Sequence, residues 1–174
     1  MSKTFAQLAL ENDTPKDNNK GVYCALELNT ISKDAITDTV KQLDIPEAIT
    51  SDEYHVTIAY SKKHFDPGYT SRKEDIIGTI TDFTYFPNSA KPGYKALVLL
   101  LDCDEAVQLH DDTMDRGASY DYPEYKPHIT LSYDIADDYD FDFEKFRDMK
   151  VYFNRIYSEP LDIEWSDNME KMED

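Results

Sequence analysis

Cysteine, glycine and basic charge are all scarce in this sequence, and each shortage removes a class of protein. The 174 residues include two cysteines, Cys24 and Cys103, and no CxxC pair. That is neither a disulfide framework nor a zinc knuckle. Both lie in apolar runs, as buried thiols of a reducing compartment do. Five glycines beside 13% aromatic residues exclude collagen-like and low-complexity chains. Long apolar runs are missing too. The longest, Ala96 to Leu101, falls far short of the roughly 18–20 residues of a membrane-spanning helix. The opening MSKTFAQLALENDT has no long apolar segment and no small-residue cleavage site, so a cytoplasmic protein is expected.

Lysine and arginine number 18 against 36 acidic residues, a formal net charge of −18. Such a chain is unsuited to wrapping long DNA or RNA, or to lying on an anionic membrane. A small phosphorylated ligand stays possible, because a pocket can be locally favourable on a repulsive surface. So does an acidic protein that imitates nucleic acid and occupies a basic partner.

The length fits one domain. It is expected over residues 21–165, with a polar leader at 1–20 and an acidic tail at 166–174. Hydrophobic patterning predicts strands over Gly21–Leu28, Tyr54–Ser61, Ile76–Phe86, Tyr94–Asp102, His128–Tyr133 and Lys150–Tyr157. Helices are predicted over Lys33–Leu43, capped by Ser32, and over Asp104–Arg116, ended by Gly117. Thr4–Glu11 could form a further short helix; another should follow the acidic stretch DIADDYDFDFE, and an extended segment should run through Trp165. Strands following one another directly indicate an α+β (mixed α/β) fold rather than a doubly wound parallel sheet.

One pattern occurs twice. His55-Val56-Thr57-Ile58-Ala59-Tyr60 and His128-Ile129-Thr130-Leu131-Ser132-Tyr133 both read His, β-branched apolar, Thr, aliphatic, small, Tyr. With four histidines in the chain, a paired His-x-Thr within matched flanks is improbable by composition. In a regular strand His55, Thr57 and Ala59 share one face, and Val56, Ile58 and Tyr60 the other. The same split holds in the second copy. Tyr60 and Tyr133 are thus expected to pack in the core. Two such strands side by side would form a floor bearing two imidazoles and two hydroxyls.

That set suits phosphodiester chemistry. One imidazole can take a proton from an attacking hydroxyl while the other, protonated, gives one to the leaving oxygen. The threonines can hydrogen-bond the non-bridging oxygens and stabilise developing charge. No metal or other cofactor is required. The remaining histidines, His64 and His110, have no ligand spacing and receive no role. Lys62, Lys63 and Lys126 flank the motifs as solvated surface cations.

Two His-x-Thr motifs on paired central strands resemble the 2H phosphoesterase superfamily, which includes LigT-like enzymes and cyclic phosphodiesterases. The resemblance spans about residues 21 to 165. It implies a bilobal fold of two pseudo-symmetric halves with a central active cleft. The segments YCAL, HVTIAYSKK, YKPHITLSYD and YSEPLDIEW are, more narrowly, similar to the phage anti-CBASS phosphodiesterases, which destroy cyclic oligonucleotide messengers of bacterial immunity. The resemblance implies His55, Thr57, His128 and Thr130 as catalytic residues, and Tyr23, Glu159 and Trp165 as nucleotide contacts. It implies a cyclic oligonucleotide substrate and action in the host cytoplasm. That family often has a mid-chain Trp as a base platform. Here Trp165 is the only Trp, and Tyr85 or Phe86 falls near the corresponding place.

Two rival readings remain. One is a LigT-like 2′,3′-cyclic phosphodiesterase acting on RNA ends, which the charge disfavours. The other is a non-enzymatic acidic mimic of DNA, which has no use for the repeated motif.

Overall fold

The computed structural model describes residues 20–87, 92–136 and 138–161. Six strands form one sheet: β1 (Gly21–Leu28), β2 (His55–Ser61), β3 (Ser71–Pro87), β4 (Tyr94–Asp102), β5 (His128–Ala136) and β6 (Lys150–Leu161). Two helices, α1 (Thr30–Leu43) and α2 (Asp104–Asp115), join β1 to β2 and β4 to β5. The strand order is β2-β1-β6-β3-β4-β5. Every neighbouring pair is antiparallel.

This order is pseudo-symmetric. β2-β1-β6 and β3-β4-β5 are the two halves, each containing a strand-helix-strand hairpin, and β6 and β3 pair along the seam. The two motif strands are not paired neighbours in the middle of the sheet, as the sequence suggests. They are its opposite edges, and no ladder joins them. Twist and repeated bulges curl the sheet until residues of β2 and β5 lie within 8 Å of each other between Cα atoms. The cleft is therefore made by closing an open sheet.

Apolar residues of both halves fill the inside of the curve: Leu26, Ile36, Val56, Ile58, Leu97, Leu99, Ile129, Leu131, Phe146 and Phe153 are all buried. Cys24 and Cys103 are buried free thiols, and burial pushes the Cys24 thiol up to about 11. Replacing Phe153, buried on the seam strand β6, by Ala should cost about 3–5 kcal/mol. Urea unfolding followed by circular dichroism reads that loss.

Three local expectations change. Helix α1 starts at Thr30, with Asn29 as its cap: the Asn29 side-chain oxygen accepts from the Ser32 N–H at 2.9 Å. Ser32 is buried instead, and its hydroxyl accepts from the Tyr152 N–H of β6 at 2.8 Å. The third strand begins at Ser71, five residues before Ile76, because Ser71, Arg72 and Lys73 continue the ladder with β6. The helix after the acidic stretch is a single 3-10 turn, Phe143–Lys145, which anchors Phe143 and Phe146 in the core. The extended segment expected after Tyr157 continues β6 as far as Leu161; the rest of it, through Trp165, and the expected helix at Thr4–Glu11 lie outside the described residues. Among the described residues, no helix is long and apolar enough to cross a membrane.

Candidate active site

The histidines open their strands at equivalent places. The His55 Nδ1 lies 2.7 Å from the Glu53 carbonyl, and the His128 Nδ1 lies 2.9 Å from the Lys126 carbonyl. A carbonyl only accepts, so in both rings Nδ1 carries a proton. In the neutral ring each Nε2 is then the unprotonated nitrogen, in a fixed ring orientation. The rings are close enough for His55 to influence the titration of His128.

The two halves share a further feature that alternation alone does not reveal. On β1, Cys24 pairs with Ala59 and Ala25 with Thr57, so Ile58 is an extra, unpaired residue. On β4, Leu97 pairs with Ser132 and Val98 with Thr130, so Leu131 is extra in the same way. Both motifs carry a β-bulge at their aliphatic residue. A one-residue insertion reverses the faces beyond it. Ala59 and Ser132 therefore turn inward and are buried, contrary to the regular-strand expectation that they share the histidine face. Tyr60 and Tyr133 turn the other way. Tyr60 pairs with Tyr23 at a ring separation of 6.2 Å, and Tyr133 is 53% exposed and electrostatically close to Tyr23. The two tyrosines assigned to the core stand on the same side as the histidines.

The cleft is chemically lopsided. In the first half, Glu27 lies directly across from His55, and its carboxylate binds Arg155 at 2.6 Å and Lys33 at 3.6 Å. Tyr23 packs edge-on to His55 at 6.0 Å, and its hydroxyl shares a 3.2 Å hydrogen bond with Thr57. Burial raises the Tyr23 hydroxyl well above the usual tyrosine range, so it stays protonated and can donate. In the second half an apolar residue takes the place of Glu27, and Val98 corresponds to Ala25 of the first half. Leu100 lies across from His128 and Val98 across from Thr130. The Phe86 ring stands edge-on to His128 at 5.3 Å. Burial lowers the His128 pKa below the usual 6.5; the Lys126 carbonyl opposes this, and His55 adds to it.

Of the nucleotide contacts expected from the sequence, Tyr23 and Glu159 face each other across the β1–β6 ladder. With Glu27, His55, Arg155 and Tyr157, Glu159 lines a cavity of about 210 Å³ beside the first histidine. Trp165 lies outside the described residues. Tyr85 packs edge-on to Phe83, whereas Phe86 reaches the His128 ring. Sequence reasoning missed Glu27, Arg155 and Tyr157. Their alternation along β1 and β6 was visible, but not that β1 lies between β2 and β6. A larger cavity of about 490 Å³ at the far end of β5 includes none of the four His and Thr residues. Its lining of Glu47, Asp134, Asp138 and Asp140 would repel a phosphate. Among the described residues, no group of three or more His, Cys, Asp or Glu side chains could hold a metal ion.

Residues 20–168 match the family model of the anti-CBASS protein Acb1. The chain belongs to the Acb1 family. The anti-CBASS protein of Vibrio phage KVP40 is 31% identical over 150 residues, spanning 86% of this chain and 93% of that protein. The one from Enterobacteria phage T4 is 28% identical, spanning 88% and 97%. The crystal structure of E. coli LigT complexed with 3′-AMP superposes with a TM-score of 0.51 at 16% identity, spanning 82% of this chain and 95% of LigT. At that identity the likeness establishes the fold alone: the chain is built on the same plan as LigT. Its two edge strands carry both intact His-x-Thr motifs.

Proposed function

We propose that this Acb1-family protein is a metal-independent phosphodiesterase that opens cyclic oligonucleotide messengers and so disarms CBASS immunity in the bacterial cytoplasm. The observation that carries the reading is the matched pair of imidazoles, each with Nδ1 held by the carbonyl two residues earlier and Nε2 free to work. The relatives' designation as anti-CBASS proteins favours this substrate class over RNA ends.

The lopsided cleft supports an assignment of roles. His128, kept neutral by its apolar surroundings, is the general base. His55 is then the general acid. The ribose 2′-oxygen attacks phosphorus while its proton passes to His128 Nε2. The bond from phosphorus to O5′ breaks as His55 gives its proton to O5′. The product is a 2′,3′-cyclic phosphate on an opened chain. In hydrolysis of that ring the roles reverse, and water supplies the second nucleophile. Thr57 and Thr130 donate to the non-bridging oxygens throughout. Glu159 accepts from a base edge, and Trp165 stacks a base.

A neutral base is lost as pH falls through its pKa. Since that of His128 is lowered, the acid limb of kcat/KM should lie below pH 6.5, and His128 should titrate there in the free protein. The same shift makes the fold less stable in acid, because the unfolded chain takes up the proton first. Steady-state rates on a 3′,5′-linked cyclic dinucleotide across pH 4.5 to 8, about two units either side of a free imidazole, test the assignment. An acid limb at or above 6.5 would exchange the roles of the two histidines.

A further inference from the structure

We infer that His110 and Tyr125 form a clasp that positions the first catalytic motif against the second. An edge strand with a bulge exposes carbonyls that no neighbouring strand can satisfy. On β2 these are the carbonyls of Thr57 and the extra residue Ile58. Both are taken by side chains from the other half of the molecule. The Tyr125 hydroxyl donates to the Thr57 carbonyl at 2.7 Å, and the His110 Nδ1 donates to the Ile58 carbonyl at 2.8 Å. The two donors are locked together, their rings stacked at 4.1 Å and 6° from parallel, with Tyr120 edge-on to His110 at 4.7 Å. His110 is buried on α2, and its backbone carbonyl accepts from the Thr113 hydroxyl.

The placement gives the clasp its consequence. Tyr125 precedes His128 by three residues, so one bond ties the backbone of Thr57 to the segment that leads into the second histidine. No ladder joins β2 and β5, so this bond substitutes for one in setting their separation. The arrangement is reciprocal. The segment after α1 crosses to the second bulge, where the Ile49 N–H donates to the carbonyl of the extra residue Leu131 at 2.9 Å. The Ser132 hydroxyl donates to the Pro46 carbonyl at 2.8 Å. Each half's helix-to-strand connection thus holds the other half's bulge. The second clasp uses a backbone donor on Leu131; the first uses side chains throughout and can be cut by substitution. His110 and Tyr125 touch no reacting atom, so they are positioning residues.

The clasp's catalytic consequence rests on the proposed phosphodiesterase reading, and its geometric one does not. Tyr125→Phe keeps the ring stack and removes one donor. With a 3′,5′-linked cyclic dinucleotide, kcat should fall roughly 10- to 100-fold with KM nearly unchanged, as for reacting groups displaced by a fraction of an ångström. His110→Phe should act alike. His110→Asn, which keeps a side-chain N–H donor, should recover part of the rate. An unchanged kcat in Tyr125→Phe, or a rise in KM alone, overturns the proposal. A second arm uses no substrate. In imidazole ¹⁵N spectra of the full chain, the His128 titration should move in Tyr125→Phe, because the spacing between His55 and His128 changes. A wild-type titration in that variant overturns the clasp. Should the unaltered protein cleave no cyclic dinucleotide, the functional reading fails, and the spectra still decide the clasp. If Tyr125→Phe does not fold, His110→Asn against His110→Phe reads the companion bond in both arms.

Discussion

His55→Ala and His128→Ala should each lower turnover of a ribo-cyclic dinucleotide by roughly 10²–10⁴-fold, the usual contribution of a general acid or base. Both rings are only half buried and stand at strand starts, so the sheet should survive their removal. Each anchors itself to a backbone carbonyl two residues away, and no core residue depends on either bond. Circular dichroism and thermal melting separate a folded, inactive variant from an unfolded one. The double variant should be scarcely worse than the single ones, because base and acid serve one proton-transfer event. A folded single variant with near wild-type rate on the true substrate would end the two-histidine mechanism. It would also revive the reading of the chain as an acidic mimic.

A cyclic dinucleotide lacking its 2′-hydroxyls should bind and resist cleavage. The reason is proximity: the 2′-oxygen is held beside phosphorus by the ribose itself, and an intramolecular nucleophile can be worth an effective concentration of about 10⁵ M or more. No alternative nucleophile is evident among the described residues. Thr57 is occupied by the Tyr23 hydroxyl and stands on a strand rather than in a strained nucleophile turn. Mass analysis of early products from ribo- and deoxyribo-substrates side by side is the measurement. A 2′,3′-cyclic phosphate should appear first from the ribo form and nothing from the deoxy form. Equal cleavage of both would mean that water attacks directly. Slow cleavage of 2′,3′-cyclic mononucleotides is compatible with the second step; fast cleavage of those alone would favour the RNA-end reading.

The matched histidine pair was legible in the sequence because its pattern is written locally. His, a spacer and Thr must share a strand face, and that needs three residues and a period of two. The duplication of the pattern carried the rest of the argument, since chance does not repeat matched flanks. Element types were legible for the same reason. Hydrophobic patterning marked all six strands of the described sheet, and the helical spacing of Ile36 and Val40 marked α1. The bulges were not legible. An inserted residue leaves no mark in composition: Ile58 and Leu131 look like ordinary inward-facing strand residues, and they are buried. What makes them extra is the count of residues on the partner strand, a long-range fact.

Within each motif, then, the sequence alone determined the paired His and Thr, their shared face and their two-fold relation. Short-range covalent geometry is sufficient for that. Only the tertiary structure decided that the motif strands are the two edges of a curled sheet, and that twin bulges swing Tyr60 and Tyr133 toward the cleft. It also decided that His128 faces Leu100 and Phe86 while His55 faces Glu27, so that two identical motifs acquire different surroundings. Register and closure are set by contacts between residues tens of positions apart. Pairing energy, curvature and burial settle those contacts together, and no local pattern encodes them.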